Sequence, residues 1–354
     1  MVSIILVNYK GWNDSIECIE SLLKLSLKNF QIILVDNASP DDSIAHVCDW
    51  ADGAIKATTK NGELSYLSQP HHPKPLDFRL ISTEDLAFNK KETRIKEKLI
   101  IIKSKQNNGF SAGNNIGIDF ALANSNPKYI WLLNNDTVVP PLTLEYLLES
   151  AESYEASGEK VGIIGAKLLH YYKPQRIQAI GGKLDQLTLN TSHLASMEID
   201  KQQYDYDVSE KIDYPVGASM FVNTDFIKEV GLMAEEYFLY YEELDWVHRG
   251  KAKSWRVGHC WKAAIYHKEG ESIGSNSEPT LKSEMADYYA LRSKLLFLYK
   301  FYPFRAPLVY LTITLTILNR IKRRQFNRIP RILALCISGP EKLKRSTFNN
   351  KRPL

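Results

Sequence analysis

The chain has 354 residues, of which 44% are hydrophobic and 24% are charged. This composition excludes a disordered or collagen-like protein and allows a large hydrophobic core. The net charge of +4 is unevenly distributed, because the segment from Arg292 to Leu354 contains 15 lysines and arginines but one acidic residue, Glu341. That segment carries +14 and the remainder −10, which argues against a general nucleic-acid-binding protein. It indicates one basic element that faces phosphate groups, of lipid or of nucleic acid.

The cysteines and the N-terminus favour a cytoplasmic protein. Cys18, Cys48, Cys260 and Cys336 include no C-x-x-C pair, so neither a zinc ribbon nor a thioredoxin-type motif is expected. Scattered thiols are typical of a reducing compartment. The first residues lack the basic region of a signal peptide. No apolar run reaches the roughly 18 residues that a spanning helix requires.

Apolar runs and amphipathic segments alternate along the first half of the chain. Strands are predicted at 3–8, 31–36, 99–103, 129–133 and 161–167, and later within 214–223. Helices are predicted to begin at Asn13 or Asp14, to cover 112–123 and 142–157, and to follow a cap at Thr224 or Asp225. This alternation predicts a doubly wound, mostly parallel α/β sheet. The polar segment 52–97 predicts an irregular insertion or lid.

Polar residues end several predicted strands, where ligands bind in open α/β sheets. Asn8 and Asp36 end the first two strands, and Asn134-Asn135-Asp136 follows a later one. Asp36 is placed to hold a ribose or a base, and Asp136 to hold a divalent metal that bridges a diphosphate. A helix cap at Asp36 and a simple turn at Asn134–Asp136 are the structural alternatives.

A glycine-rich segment follows the third predicted strand. Gly109, Gly113 and Gly117 are spaced four apart, which differs from the G-x-G-x-x-G dinucleotide motif. On a helix, this spacing leaves one bare face that allows close approach of the sheet or of a ligand. The sequence leaves both roles open.

Three carboxylates follow the aromatic run 237–241. If a helix begins near Glu242, acids in its first turn suit the helix dipole, and one is placed to act as a general base. Asp245 is expected to pair with Arg249 one turn later. His267 ends an apparent strand and is either structural or a metal ligand.

These motifs together, from about Val2 to Gly270, resemble the family 2 glycosyltransferases of the GT-A fold. The resemblance is greatest to the bacterial branch that includes rhamnosyltransferases and galactofuranosyltransferases. The matching segments are Asn8-Tyr9, 35–39, 108–117, 133–136, 215–219, 242–245 and 266–267. The resemblance implies a catalytic domain at 1–280, with the 52–97 insertion, and a basic, partly apolar helical extension at 281–354.

The resemblance also implies roles for individual residues. Donor-binding residues would be Asn8, Asp36, Asn108, Gly113, Asn134, Asn135 and Asp136, and the acceptor or sugar site would include Gly217, Ala218 and Glu242. Asp136 and His267 would hold Mg²⁺ or Mn²⁺, and Glu243 would be the catalytic base. The chain departs from the family in having Asn134 at the first position of the D-x-D motif. It also has a Glu-Glu pair where Glu-Asp or Asp-Asp is common.

The implied reaction is an inverting sugar transfer from dTDP-rhamnose or a UDP-sugar to a lipid-linked saccharide acceptor in surface polysaccharide biosynthesis. The basic tail beside the apolar run 304–318 indicates peripheral attachment to the anionic inner face of the plasma membrane, with a packed helical pair as the alternative. A nucleotide-sugar-binding protein without activity is disfavoured by the presence of Glu243, Asp136 and His267. A nucleic-acid partner is not expected, because no recognised motif is present and the body is acidic.

Overall fold

The computed structural model describes residues 1–88, 95–269 and 283–348. Its strands are β1 (Val2–Asn8), β2 (Phe30–Asp36), β3 (Phe78–Ser82), β4 (Leu99–Lys103), β5 (Tyr129–Leu133), β6 (Thr137–Val138), β7 (Val161–His170), β8 (Lys173–Ala179), β9 (Gly182–Leu184), β10 (Thr191–His193), β11 (Ser219–Asn223) and β12 (Arg256–His267). Its α-helices are α1 (Trp12–Leu23), α2 (Ser43–Asp52), α3 (Ser65–Ser68), α4 (Thr83–Phe88), α5 (Phe110–Asn124), α6 (Thr143–Ala156), α7 (Thr224–Val230), α8 (Glu242–Lys251), α9 (Glu284–Phe301), α10 (Ala306–Lys322), α11 (Ile329–Cys336) and α12 (Pro340–Arg345).

One mixed sheet organises the molecule, in the order β3-β4-β2-β1-β5-β11-β7-β12-β6, with β8 paired to β7. Strands β1 to β5 are parallel to one another, as are β7 and β12. Strand β11 is antiparallel to both of its neighbours. Strand β1 is a switch point, because β2 and β4 lie on one side of it and β5 on the other. The predicted doubly wound, mostly parallel sheet is confirmed.

Each face of the sheet carries its own hydrophobic core. In β1, Ile5 contributes to one core and Ile4 and Leu6 to the other, because side chains alternate along a strand. Helices α1, α2 and α6 cover one face, and α5 and α8 cover the other. Helices α9, α10 and α11 join the same core as α5, with Leu295 of α9 fully buried. The described C-terminal helices therefore share a core with the sheet, whereas the predicted boundary at 280/281 lies outside the described residues and stays a prediction.

Several predicted details are wrong. Helix α1 begins at Trp12 after Gly11 and has no side-chain cap, whereas Asp14 pairs with Lys268 at 2.6 Å. The cap of α7 is Asn223, whose side chain accepts from the backbone N–H of Asp225. The other predicted strands and helices lie within a few residues of their observed bounds.

The described parts of the segment 52–97, which leave out 89–94, are more regular than the predicted irregular insertion. Strand β3 pairs in parallel with β4 and extends the edge of the sheet. Upstream of β3, Leu64 and Leu67 pack with Val138 and Tyr171 in a small apolar cluster. This part of the segment is docked onto the ends of β6 and β7 by the Asn61 amide, which donates to the Tyr171 carbonyl at 2.6 Å.

Candidate active site

A cleft of about 290 Å³ opens where β1, β2 and β5 end, at the switch point of the sheet. Its polar lining is Asn37, Asn107, Asn134, Asn135, Asp136 and His267. Its apolar lining includes Val7, Tyr9, Phe110, Phe238, Leu239, Met285, Tyr289 and Phe348. The cleft thus combines strand-end polar groups with apolar groups from residues 238–239 and from the C-terminal helical region.

The polar half contains a close pair, Asp136 and His267, whose Oδ1 and Nε2 atoms are 3.1 Å apart. Burial by itself would lower the pKa of His267, but the Asp136 carboxylate outweighs it and the pKa is raised. Burial would likewise raise the pKa of Asp136, but His267 lowers it below its usual value. On the far side of the ring, Nδ1 of His267 lies 2.9 Å from the amide oxygen of Gln178. When Nδ1 carries a proton toward Gln178, Nε2 either donates a second proton to Asp136 or is free to bind a cation.

The donor set around this pair fits a divalent cation. The side-chain oxygen of Asn134 is buried without a hydrogen-bond partner among the described residues, and its Nδ2 lies 3.4 Å from Nε2 of His267. A 180° rotation of the amide would exchange these two atoms. The carboxylate, amide oxygen and imidazole nitrogen would then face one point, and oxygen with nitrogen donors suit Mg²⁺ or Mn²⁺. No group of three His, Cys, Asp or Glu side chains at metal-binding spacing occurs within the described ranges.

Asn8, Asp36 and Asn135 form a hydrogen-bond network behind the cleft. Asn8 donates to Asp36 at 2.8 Å, and Asn135 donates to the Ser15 hydroxyl at 2.8 Å. The Asp36 carboxylate also accepts from the backbone N–H and the hydroxyl of Ser39. Asp36 is 2% exposed, and neither it nor Asn8 lines the cleft. In this structure these two residues link the ends of β1 and β2, and their donor-binding role stays a prediction.

The glycine-rich segment of α5 acts by close packing. A Cβ atom on Gly113 would lie 2.7 Å from a Val7 methyl group, and one on Gly117 would lie 2.5 Å from Ile5. Gly109 has a φ of +93°, and a Cβ there would lie 2.3 Å from the Phe238 carbonyl oxygen. Gly113 and Gly117 therefore allow α5 to pack closely against β1. The geometry assigns a packing role to this segment.

Two of the expected site residues, Asn108 and Ala218, do not line the cleft. Asn107, and not the exposed Asn108, lines the cleft. Ala218 is buried, and its carbonyl accepts from the backbone N–H of Asn134 at 2.9 Å. Gly217 lies against the ring of Phe110, with 3.8 Å between an added Cβ and the ring edge. Gly217 and Ala218 thus lie beside the cleft.

Helix α8 begins with two carboxyl groups, Glu242, which is buried, and Glu243, which is half-buried. One oxygen of each is buried without a hydrogen-bond partner among the described residues. Burial raises the pKa of Glu243 to about 7. Burial, and then the neighbouring Glu243, raise the pKa of Glu242 well above its usual value. A carboxyl whose pKa lies near neutrality is suited to general-base catalysis.

The third acid of this turn is different, because Asp245 is fully paired. It accepts from Arg249 at 2.6 Å, as predicted, and from the Tyr237 hydroxyl at 3.0 Å. Lys300 of α9 lies 2.6 Å from its other oxygen. Asp245 therefore has a structural role, and the unpaired acids are Glu242 and Glu243.

The backbone that leads into α8 is strained. Phe238, Tyr240 and Tyr241 have φ values of 62°, 67° and 70°. Positive φ is rare for bulky residues and costs on the order of 1–3 kcal/mol for each residue. Helix α9 supports this loop, because Arg292 donates to the Tyr237 carbonyl at 2.9 Å and Ser293 donates to the Leu239 carbonyl at 2.8 Å. Stored strain of this kind is characteristic of functional sites.

Several residues that line the cleft were not expected from the sequence. Asn37 lies in the matching segment 35–39, next to the predicted residue Asp36. Asn107 directly precedes the segment 108–117, next to the predicted residue Asn108. The sequence therefore indicated the right segments but the neighbouring residues. Tyr289 and Phe348 lie outside every motif. Nothing in the sequence indicates that the C-terminal region returns to the cleft.

The mixed sheet with its strand-end cleft is a GT-A fold. Residues 3–71 and 82–212 match glycosyl transferase family 2, and the chain belongs to this family. The low-salt glycan biosynthesis hexosyltransferase Agl10 of Haloferax volcanii is 23% identical over 168 residues, which are 48% of this chain and 51% of the relative. The chain thus spans about half the length of that relative.

Solved structures share the fold at low identity. The crystal structure of GalNAc-T7 with UDP, GalNAc and Mn²⁺ has a TM-score of 0.57 and 12% identity, and covers 98% of this chain and 53% of that chain. The crystal structure of S. aureus TarS has a TM-score of 0.45 and 12% identity, and covers 84% of this chain and 39% of that chain. The first of these similarities supports the fold assignment.

The burial of Glu243 predicts how its replacement affects stability at different pH values. The folded-state pKa of about 7 lies above the unfolded value of about 4.3, so folding favours the protonated carboxyl. Its stabilising contribution is complete below about pH 4.3 and is lost as the pH rises through about 7. Glu243→Gln is always neutral, so we expect it to raise the Tm at pH 8 and to change it little at pH 4.

Thermal melts at both pH values, with Glu152→Gln on the exposed side of α6 as a matched control, measure this difference. The control should change the Tm only slightly, and by the same amount at both pH values. A Glu243→Gln variant that behaves like the control would show that the carboxyl is solvated.

Proposed function

We propose that the protein is an inverting glycosyltransferase that transfers a sugar from a nucleotide-diphosphate donor to a lipid-linked saccharide acceptor. The observation that carries this proposal is the Glu242–Glu243 pair, each with one buried carboxyl oxygen that has no partner among the described residues. The pair does not line the strand-end cleft that contains Asp136 and His267, but it begins three residues after Leu239, which does. Family membership supports the reaction class.

In the proposed mechanism, Glu243 accepts the proton of the acceptor hydroxyl as that oxygen attacks the anomeric carbon. The bond from the anomeric carbon to the diphosphate oxygen breaks on the opposite face, and the nucleoside diphosphate leaves. A base with a pKa near 7 is half deprotonated at neutral pH, where it can both accept and later release the proton. Apolar neighbours such as Leu239 help exclude water from the activated sugar.

Asp136 and His267, with the amide oxygen of Asn134, would hold Mg²⁺ or Mn²⁺. Such a cation offsets the negative charge that develops on the leaving diphosphate. The chain's own contribution is to orient these ligands: Gln178 fixes the ring of His267, and the backbone N–H of Lys268 donates to the Asp136 carbonyl at 3.0 Å. Asn134 replaces a charged ligand by a neutral one, so weaker metal binding is expected than at a D-x-D site.

The donor is proposed to be dTDP-rhamnose or, next, a UDP-sugar, and the product a surface polysaccharide. The rhamnosyltransferase and galactofuranosyltransferase branch rests on the sequence motifs. The relative named as a hexosyltransferase of glycan biosynthesis supports the pathway class, and the structural neighbour with UDP and Mn²⁺ supports a nucleotide-sugar donor with a metal. A binding protein without activity is the alternative, favoured by Asn134 and disfavoured by the unpaired Glu242–Glu243 pair.

The acceptor is proposed to be presented at the cytoplasmic face of the plasma membrane, because the C-terminal helices expose an apolar face. Leu311, Leu315 and Leu318 follow one stripe of α10 and are between 54% and 56% exposed. Phe304 before this stripe is 98% exposed, and Ile337 after α11 is 84% exposed. None of the described helices has both the length and the apolar character that a membrane crossing requires.

The cations beside this face are fewer than the sequence predicts. Arg320, Arg328 and Arg331 pair with Asp287 or Glu284 of α9, so they hold the helices together. Lys322, Arg323 and Arg324, at the end of α10, are exposed. An apolar stripe followed by exposed cations suits an anionic lipid surface, at about 1 kcal/mol for each cation near the surface.

Donor and metal binding test the polar half of the site. In a thermal-shift screen of dTDP-rhamnose and UDP-sugars, a bound donor should raise the Tm, and Mn²⁺ should increase that shift. Asp136→Ala and His267→Ala should each reduce the Mn²⁺-dependent part, and the double variant should lose little more because both report on one ion. The surface variant Asp52→Ala is the control. Additive losses would contradict a shared ion.

Replacement of the proposed base tests the mechanism. Glu243→Gln should reduce sugar transfer by about 10²- to 10⁴-fold, because the acceptor hydroxyl loses its proton acceptor. Donor binding should stay close to wild type. Release of the nucleoside diphosphate in the presence of acceptor measures the rate, with Glu242→Gln assayed alongside. If Glu242→Gln is the inactive variant and Glu243→Gln turns over normally, the base is Glu242.

Membrane attachment is tested by changing the exposed leucines. A chain that ends near Ser283 is unsuitable, because it removes Leu295 and the rest of α9 from the core. Replacing Leu311, Leu315 and Leu318 together by Asn should abolish co-sedimentation with phosphatidylcholine–phosphatidylglycerol vesicles. The matched control replaces three exposed leucines elsewhere, namely Leu80, Leu142 and Leu187.

The wild type should also bind less at high salt, since the Debye length falls from about 10 Å at 0.1 M to about 3 Å at 1 M. Equal vesicle binding by the two triple variants would assign the apolar face to another partner.

A further inference from the structure

The C-terminal region contributes an aromatic wall to the cleft, formed by Phe238, Tyr289 and Phe348. The rings of Phe238 and Tyr289 stack with centroids 4.5 Å apart and planes 15° apart. The backbone N–H of Phe348 donates to the Tyr289 hydroxyl at 3.2 Å. The wall thus joins the loop before α8, helix α9 and the segment after α12.

Arg292 of α9 holds the parts of this wall together. It is 2% exposed, and its guanidinium donates to the carbonyls of Leu343 and Lys344, each at 2.8 Å. It also donates to the Tyr237 carbonyl at 2.9 Å, next to Phe238. From α11, the Arg331 guanidinium lies 4.6 Å from the centre of the Phe348 ring. The segment that carries Phe348 is therefore fixed by specific contacts and does not rest on the cleft by chance.

The same cleft is also lined by side-chain amides. Asn37 and Asn107 hydrogen-bond to each other at 3.0 Å, and Asn37 also donates to the Gly109 carbonyl at 2.9 Å. The side-chain oxygen of Asn37 has no hydrogen-bond partner within the described ranges. Asn37 directly follows β2, and Asn107 comes four residues after the end of β4.

Aromatic rings and amides that line one cleft of about 290 Å³ suit a flat ring with polar edges better than they suit an alkyl chain. Aromatic faces stack on any nucleobase, whereas amides hydrogen-bond to base edges, and an alkyl chain can use only the first of these. The nearby Asp136–His267 pair then lies where the attached diphosphate would be needed.

We propose that Phe348, which is half-buried, stacks on the nucleobase of the sugar donor and that Tyr289, which is 3% exposed, holds the wall in position, so that the C-terminal segment completes the donor site. This inference rests on the proposed function and adds the residues that select the nucleoside part of the donor. The predicted consequence is that a change at Phe348 affects ligands that contain a base and spares ligands that contain only phosphate.

Isothermal titration of the full chain in Mn²⁺ with UDP, dTDP and inorganic diphosphate tests the proposal. Phe348→Ala should weaken UDP and dTDP binding by roughly five- to hundredfold, the range expected for loss of one stacking partner. It should leave inorganic diphosphate binding unchanged. Phe348→Tyr keeps the ring and should restore binding, and Phe326→Ala, at a Phe that is 58% exposed outside the cleft, is the matched control.

The possible failures are distinguishable. If the wild type binds UDP or dTDP with Mn²⁺ but Phe348→Ala binds them equally well, the inference is wrong and the proposed function stands. An equal loss of UDP and diphosphate binding would also overturn it, because Phe348 would then only maintain the fold. If farnesyl diphosphate is titrated in the same way and Phe348→Ala weakens its binding but not that of the nucleotides, the wall holds an apolar chain instead. A wild type that binds none of the nucleotides contradicts the proposed function itself.

Discussion

The hydrogen bonds that hold residues 237–241 between two helices are the constraint on which the candidate site depends. On one side, Gly109 leaves room for the Phe238 carbonyl, which accepts from the backbone N–H of Phe110 at 2.8 Å. On the other side, Arg292 and Ser293 of α9 donate to carbonyls of the same loop. These bonds offset the cost of three bulky residues at positive φ. The loop can therefore form part of the cleft wall and still lead directly into the acidic first turn of α8.

Charged groups near the site divide into those that are neutralised inside the protein and those that are not. Lys268, which directly follows His267, is fully buried and lies 2.6 Å from both Asp14 and Glu17 of α1. Removing one partner of such a buried pair leaves an uncompensated charge, so the pair rigidly fixes the end of β12. In contrast, Glu242 and Glu243 keep carboxyl oxygens without partners among the described residues. The two proposed catalytic groups thus differ from the neighbouring charged residues in having carboxyl oxygens without hydrogen-bond partners among the described residues.

Much of this architecture was predictable from local sequence. The run that ends at Leu133 is apolar and continuous, as a strand buried on both faces must be, and the polar residues that follow it mark the carboxyl edge of the sheet. The order of motifs led to the family, which the profile match confirms. The start of α8 at Glu242 and the pairing of Asp245 with Arg249 follow from helix periodicity. In each of these features the determining contacts lie within a few residues of one another.

By itself, the sequence determined the elements, the sheet class and the family, because periodicity and strand-end polarity are local properties. Only the tertiary structure decided which polar residues face the cleft: Asp36 turned inward to Asn8, whereas Asn37 lines it. It also decided that Phe348 reaches the cleft and that the C-terminal helices share the core of the sheet. These outcomes depend on contacts between residues far apart in the chain. Packing of whole elements sets such contacts, and no local pattern encodes them.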